Sequence, residues 1–142
     1  MVAERIGGLP VTPIDYDGVP RITYSDPEVA SVGLTSTQVT ERGLKTVEFN
    51  YNLGGNGRSV ILQTQGACKV IALSEEGGPG RVVGIHIVGS RVGELIAEAQ
   101  LIYNWDAEPA DVAQLIHPHP TQSEAIGEAH LALAGKPLHV HA

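Results

Sequence analysis

Cys68-Lys69-Val70-Ile71-Ala72-Leu73 and Arg81-Val82-Val83-Gly84-Ile85-His86-Ile87-Val88 flank Glu75-Glu76-Gly77-Gly78-Pro79-Gly80, and together they read as one β-hairpin. The outer runs are rich in β-branched residues, and the glycines and proline between them suit a reversal of the chain. Upstream of the hairpin the signals are mostly short strands. Arg21 to Tyr24 alternates polar and apolar residues with period two, Ser25-Asp26-Pro27-Glu28 is turn chemistry, and Val29 to Leu34 is a second short apolar run. Thr35-Ser36-Thr37-Gln38 has capping-box spacing and opens a short helix that Gly43 closes. Thr46 to Tyr51 alternates again, with Val47, Phe49 and Tyr51 on one face. Asn52 to Gly57 reads as a loop, and Val60 to Leu62 fits either a strand or a helical turn.

Downstream the period changes. Ser90 is placed to cap a helix running to about Asn104, with Val92, Leu95, Ile96 and Ala99 on its buried stripe. Pro109 suits the first turn of a further short helix. A last helix runs from about Thr121 to Ala134, stops at Gly135 and cannot continue past Pro137. Strands first and helices afterwards predict an α+β domain, an antiparallel sheet covered by helices. The opening segment differs: Val2 to Ile6 has helical character, then Gly7-Gly8, Pro10 and Pro13 break it up. Residues 1–18 therefore read as the tail of a preceding domain and a linker, and residues 19–142 as the folded domain.

A chain of 142 residues is one domain by length and large enough for a true core. Nine basic residues against sixteen acidic ones leave a formal charge of −7, which argues against nucleic acid and anionic membranes as partners. No stretch approaches 18 apolar residues, and no basic segment followed by an apolar one opens the chain, which points to a cytoplasmic protein, although an imported organelle protein without its transit peptide would read the same. Cys68 stands alone, so the chain has no internal redox pair, and within an apolar strand it reads as an inert core thiol.

The chemistry concentrates in His117-Pro118-His119-Pro120-Thr121-Gln122-Ser123-Glu124. An imidazole with an ordinary pKa near 6.5 accepts protons usefully at neutral pH, and a carboxylate on its other nitrogen would fix its tautomer. Thr121 to Glu124 is also a capping-box spacing, so Glu124 could bond the Thr121 N–H, pair with His119, or do both. The pairs His117/His119 and His139/His141 invite a metal reading, but no cysteine cluster or HExxH accompanies them, so no metal site is expected. Gly54-Gly55-Asn56-Gly57-Arg58-Ser59 lacks the spacing and lysine of a phosphate cradle and reads as a flexible loop. Gly89-Ser90-Arg91-Val92-Gly93 joins a strand to a helix but is not G-x-G-x-x-G.

Three segments carry a family resemblance: Pro20 to Thr35, Ile87-Val88-Gly89 with Gly93-Glu94-Leu95, and His117 to Glu124 followed by Ala125-Ile126. Together, residues 20 to 141 resemble the dimerisation domain of the flavin-dependent pyridine nucleotide–disulphide oxidoreductases, most closely the dihydrolipoamide dehydrogenases. The resemblance implies a homodimer in which His119 is the acid/base group, Glu124 orients it, and the backbone at His119 and Pro120 lies against the partner subunit's flavin. It implies a cis bond between His119 and Pro120, FAD and NAD as cofactors of the whole enzyme, and the dihydrolipoyl group of an acyltransferase as partner. A glutathione reductase-like interface domain and a non-catalytic dimerisation module are the alternatives. The flavin and nucleotide fingerprints and the paired cysteines are missing from the chain, so by itself it is expected to bind no cofactor and to be inactive.

Overall fold

The hairpin is the centre of the molecule. A computed structural model describes residues 1–140. In it β4 (Ala67–Glu75) and β5 (Gly78–Gly89) pair antiparallel, with Glu75 opposite Gly78 across a tight turn. On the far side of β5 lies β2 (Glu28–Gly33), then β1 (Arg21–Thr23); on the far side of β4 lies β3 (Thr46–Asn52). The five strands run β1-β2-β5-β4-β3, every neighbour antiparallel.

The helices divide between the two faces. Helices α4 (Val92–Asn104) and α6 (Glu124–Leu133) cover one face, α4 over β2 and β5 and α6 over β3 and β4, with α5 (Pro109–Val112) against α6. Between helices and sheet lies the main core, in which Val32, Val70, Ile85, Ile87, Ile96 and Ile126 are buried. At about 25 cal/mol per Å² of apolar surface, each such side chain contributes on the order of 1.5–3 kcal/mol. Helix α2 (Ser36–Glu41), capped by Thr35 and Gln38 as the sequence predicts, closes a smaller cluster of Leu34, Val39, Ile71 and Val83. A polar row crosses all five strands in register: Arg21, Ser31, His86, Lys69 and Asn50. That is what an antiparallel sheet with one well-covered face should show.

Three sequence readings change. Gly54 to Ser59 is not a flexible loop: a 3-10 turn (Leu53–Gly55) runs through the cap residue Asn56 into a helix, α3 (Gly57–Leu62), which takes in Val60 to Leu62, left open between strand and helical turn. Helix α4 starts at Val92 with Arg91 in the left-handed region (φ 59), so Ser90 is not its cap. Helix α6 starts at Glu124, three residues later than expected, because residues 121 to 123 form a separately anchored turn; Gly135 follows its end at φ 74, as the sequence predicts. Near the chain start, α1 (Val2–Ile6) has no buried residue, whereas residues 15 to 18 are tied to the body. The Tyr103 hydroxyl donates to Asp15 at 3.1 Å and the Asn104 amide donates to the Gly18 carbonyl at 2.9 Å.

Candidate active site

His119 and Glu124 meet where the segment between α5 and α6 crosses the end of α3. His119 Nδ1 lies 2.9 Å from Glu124 Oε1, while Glu124 Oε2 accepts the Thr121 N–H at 2.8 Å. Both roles left open by the sequence are therefore filled by one carboxylate, one oxygen each. With Nδ1–H donating to a carboxylate, the proton-free nitrogen of His119 is Nε2, which has no partner among the described residues. The ring is 77% exposed, so that lone pair faces open space. Partial burial pushes the Glu124 carboxyl up, but the Thr121 N–H and His119 outweigh it, and it ends below its ordinary value. Glu124 is thus a fixed anion at the first turn of α6, where the helix dipole favours negative charge.

The backbone of the segment is held as firmly as its side chains. The His119–Pro120 bond is cis, as the resemblance implies. Thr121 donates its hydroxyl to the Pro118 carbonyl at 2.6 Å and shares a hydrogen bond with Ser123 at 2.8 Å. Its carbonyl accepts the Asn56 side-chain N–H at 2.9 Å, and the Asn56 side-chain Oδ1 accepts the backbone N–H and hydroxyl of Ser59. Asn56 and Ser59 are buried and satisfied by these bonds, so Asn56 both caps α3 and ties it to the segment bearing His119. Sequence reasoning missed this anchor, although Asn three residues before Ser at a helix start is a readable cap. Asn56→Ala should cost about 1–3 kcal/mol in urea unfolding, from a lost cap and an orphaned carbonyl. A loss below about 0.5 kcal/mol would show that the anchor carries no weight.

The other nominated residues are dispersed. His117 turns away from His119 and sits between α4 and α6, so this pair does not share a face. His139 pairs elsewhere: its Nδ1 lies 2.7 Å from Glu128 Oε1, which places residue 139 beside Glu124. His141 lies outside the described residues. Among the described residues no group of three or more His, Cys, Asp and Glu side chains is gathered as a metal site would need. Cys68 is fully buried and its thiol is pushed up to about 12, first by burial and then by Glu98. The segment from Gly89 to Gly93 joins an antiparallel strand to α4, and no parallel unit of the dinucleotide-binding type contains it.

A family model described as "Pyridine nucleotide-disulphide oxidoreductase, dimerisation domain" matches residues 19–130. A dihydrolipoyl dehydrogenase from Pisum sativum, named as mitochondrial, is 41% identical over 128 residues, covering 89% of this chain and 25% of that protein. A dihydrolipoyl dehydrogenase from Bacillus subtilis is 38% identical over 141 residues, covering 99% of this chain and 29% of that protein. The fold matches the crystal structure of LpdA from Mycobacterium tuberculosis with a TM-score of 0.83 at 22% identity, over 93% of this chain and 28% of that one. The chain thus spans about a quarter of the length of the relatives it matches. The expectation of a cytoplasmic protein is corrected here. Relatives from Pisum sativum, Arabidopsis thaliana and Caenorhabditis elegans are named as mitochondrial, and others are bacterial, so the sequence does not indicate the cytoplasm.

Proposed function

This chain belongs to the dimerisation-domain family of the pyridine nucleotide-disulphide oxidoreductases, and from that premise we propose that it is the interface domain of a dihydrolipoyl dehydrogenase, with His119 as acid/base group and Glu124 as its orienting partner. In this reading residues 19–142 pair with a second copy, and residues 1–18 are the tail of a domain that carries the flavin. The observation that supports it most is the exposed Nε2 of His119, whose opposite nitrogen is committed to a buried-side carboxylate. A base that must serve another subunit needs this outward geometry, which a mere helix cap does not. On α3 and on the segments holding His117 and His139, Val60, Ile61, Ile116 and Leu138 are exposed, leaving apolar area for a partner to cover.

The flavin site would be completed by the partner subunit, and this chain's share of it is backbone. The His119 carbonyl accepts no hydrogen bond from a described residue and Pro120 is exposed, so this edge fits a planar group presented by another chain. Bound there, FAD would take up the electron pair released when the dithiol is oxidised and pass it to NAD. A thiol with a pKa near 8.5 is only a few per cent thiolate at neutral pH. His119 Nε2 would remove the proton from the substrate sulphur as it attacks the redox disulphide, a task worth roughly 10²–10⁴ in rate. Glu124 would stabilise the resulting imidazolium and hold the Nδ1 proton on its own side, so that Nε2 is the nitrogen facing the reacting sulphur. The dihydrolipoyl group would arrive on an acyltransferase, and the −7 charge leaves nucleic acid and anionic membranes as poor partners.

The direct test is a chimera in which this chain replaces the dimerisation domain of the Bacillus subtilis relative. The expected product is a flavin-loaded dimer that reduces NAD with dihydrolipoamide. A dimer that holds flavin but leaves dihydrolipoamide untouched would refute the assignment.

A further inference from the structure

His117 lies two residues before His119, yet its ring is spent on something else. Its Nε2 lies 2.6 Å from Glu98 Oε1 on α4, and the side chain is only 11% exposed. On its other side the ring rests on α6 at Gly127. A Cβ there would fall 2.6 Å from Nδ1 and 2.9 Å from Cε1 of His117, closer than real contacts allow. Glycine inside a helix costs about 1 kcal/mol relative to alanine, so this position gives up helix stability to admit the ring. We propose that His117 is a positioning residue, wedged between Glu98 and Gly127 so that the segment carrying His119 reaches Glu124 in one orientation.

The mechanics follow from the two prolines. Pro118 locks its own φ and confines His117 to extended backbone, and Pro120 confines His119 likewise. A span this stiff transmits the placement of its ends. One end is His117, held to α4 and α6; the other is Thr121, held by Glu124, Asn56 and the Pro118 carbonyl. With either end released, the His119 ring gains freedom and its Nδ1–H loses alignment with Glu124 Oε1. The Glu98 contact also pushes the His117 ring up from its ordinary value, against the opposing effect of burial, which favours the charge-assisted form of the bond. None of this requires His117 to touch a reacting atom.

The inference rests on the reading of His119 as a base oriented by Glu124, and the test separates the two. Imidazole tautomers are read in the ¹⁵N-labelled 142-residue chain by long-range proton–nitrogen correlation, above the titration range of the rings. In the unaltered chain His119 should carry its proton on Nδ1 and leave Nε2 bare, whereas a histidine free in water prefers the opposite. Glu98→Ala and Gly127→Ala attack the wedge from its two sides. Each should raise the Nε2–H fraction of His119 by about two- to tenfold, the equilibrium worth of one intramolecular hydrogen bond. Gly127→Ala favours the helix, so it keeps the test valid if Glu98→Ala fails to fold. His86 is the internal control, because its Nε2–H is fixed elsewhere by the Leu34 carbonyl at 2.9 Å and should not respond. If His119 is unchanged in both variants, or changes only together with His86, the positioning role is overturned while the base assignment stands. If the unaltered chain already shows Nε2–H on His119, the base assignment falls and the positioning role with it.

Discussion

His119→Gln, introduced into the chimera with the Bacillus subtilis flavin and nicotinamide domains, is expected to lower dihydrolipoamide oxidation by about two to four orders of magnitude. Glutamine fills similar space and can still donate an N–H to Glu124 Oε1, so the fold of the segment should persist. What it lacks is a nitrogen that accepts a proton near neutral pH at the position of Nε2. The substrate thiol must then ionise unaided, and at neutral pH only a few per cent of it does. Two further measurements tie the loss to that step. Electron transfer from NADH to an artificial acceptor bypasses the thiol and should fall far less. The defect should also narrow as pH approaches the thiol's own value of about 8.5, where the thiolate forms without a base. An equal loss in both assays would point to damaged flavin binding or folding, and dihydrolipoamide turnover within about threefold of the parent would remove His119 from the role.

The readable parts of this fold were those in which local sequence and global structure demand the same thing. The hairpin from Cys68 to Val88, the capping box at Thr35 and the stop at Gly135 are each specified by residues next to one another in the chain, and each forms as read. Val60 to Leu62 could not be assigned because three apolar residues carry no period. What makes them helical is the Asn56 side chain, whose other partner, the Thr121 carbonyl, is sixty-five residues away. The candidate site divides the same way. His119 and Glu124 are five residues apart, and their contact was legible, as was the second bond of Glu124 to the Thr121 N–H, although no helix starts at Thr121 for it to cap. His117, Asn56 and His139 were misjudged or passed over because their partners sit on other elements: Glu98 on α4, Thr121 beyond α5, and Glu128 in the middle of α6. Periodicity identifies which face of a helix is buried, not which polar side chain meets which across the packing.

The largest stability effect should come from His130, which sequence reading left unremarked on a buried helix face. Its side chain is fully buried in α6; Nδ1 lies 2.7 Å from the Ile126 carbonyl, and Nε2 has no partner among the described residues. A carbonyl only accepts, so Nδ1 carries the proton and Nε2 is a bare lone pair. Protonation would place an N–H⁺ in the core with nothing to accept it, and burial accordingly holds the ring down at about 4. The unfolded chain, with an ordinary value of about 6.5, takes up the proton first, so stability is full above about 6.5 and drains away as pH falls towards about 4. Over that window the loss amounts to about 3 kcal/mol, a large share of a small domain's total. Other groups act in distinguishable ways. His86, also held down by burial, leaves a smaller slope of the same sign. His117 is raised by Glu98, so its contribution is complete below about 6.5 and is lost only as pH rises beyond. Glu48 and Glu124 are lowered, and they release stability only below the ordinary carboxylate range. His130→Leu keeps the volume and the helix while removing the titration. Urea unfolding of both proteins at about pH 7.5 and about pH 4.5 should show the unaltered chain losing on the order of 3 kcal/mol more than the variant. Parallel losses would mean that His130 is not the group through which acid opens this domain.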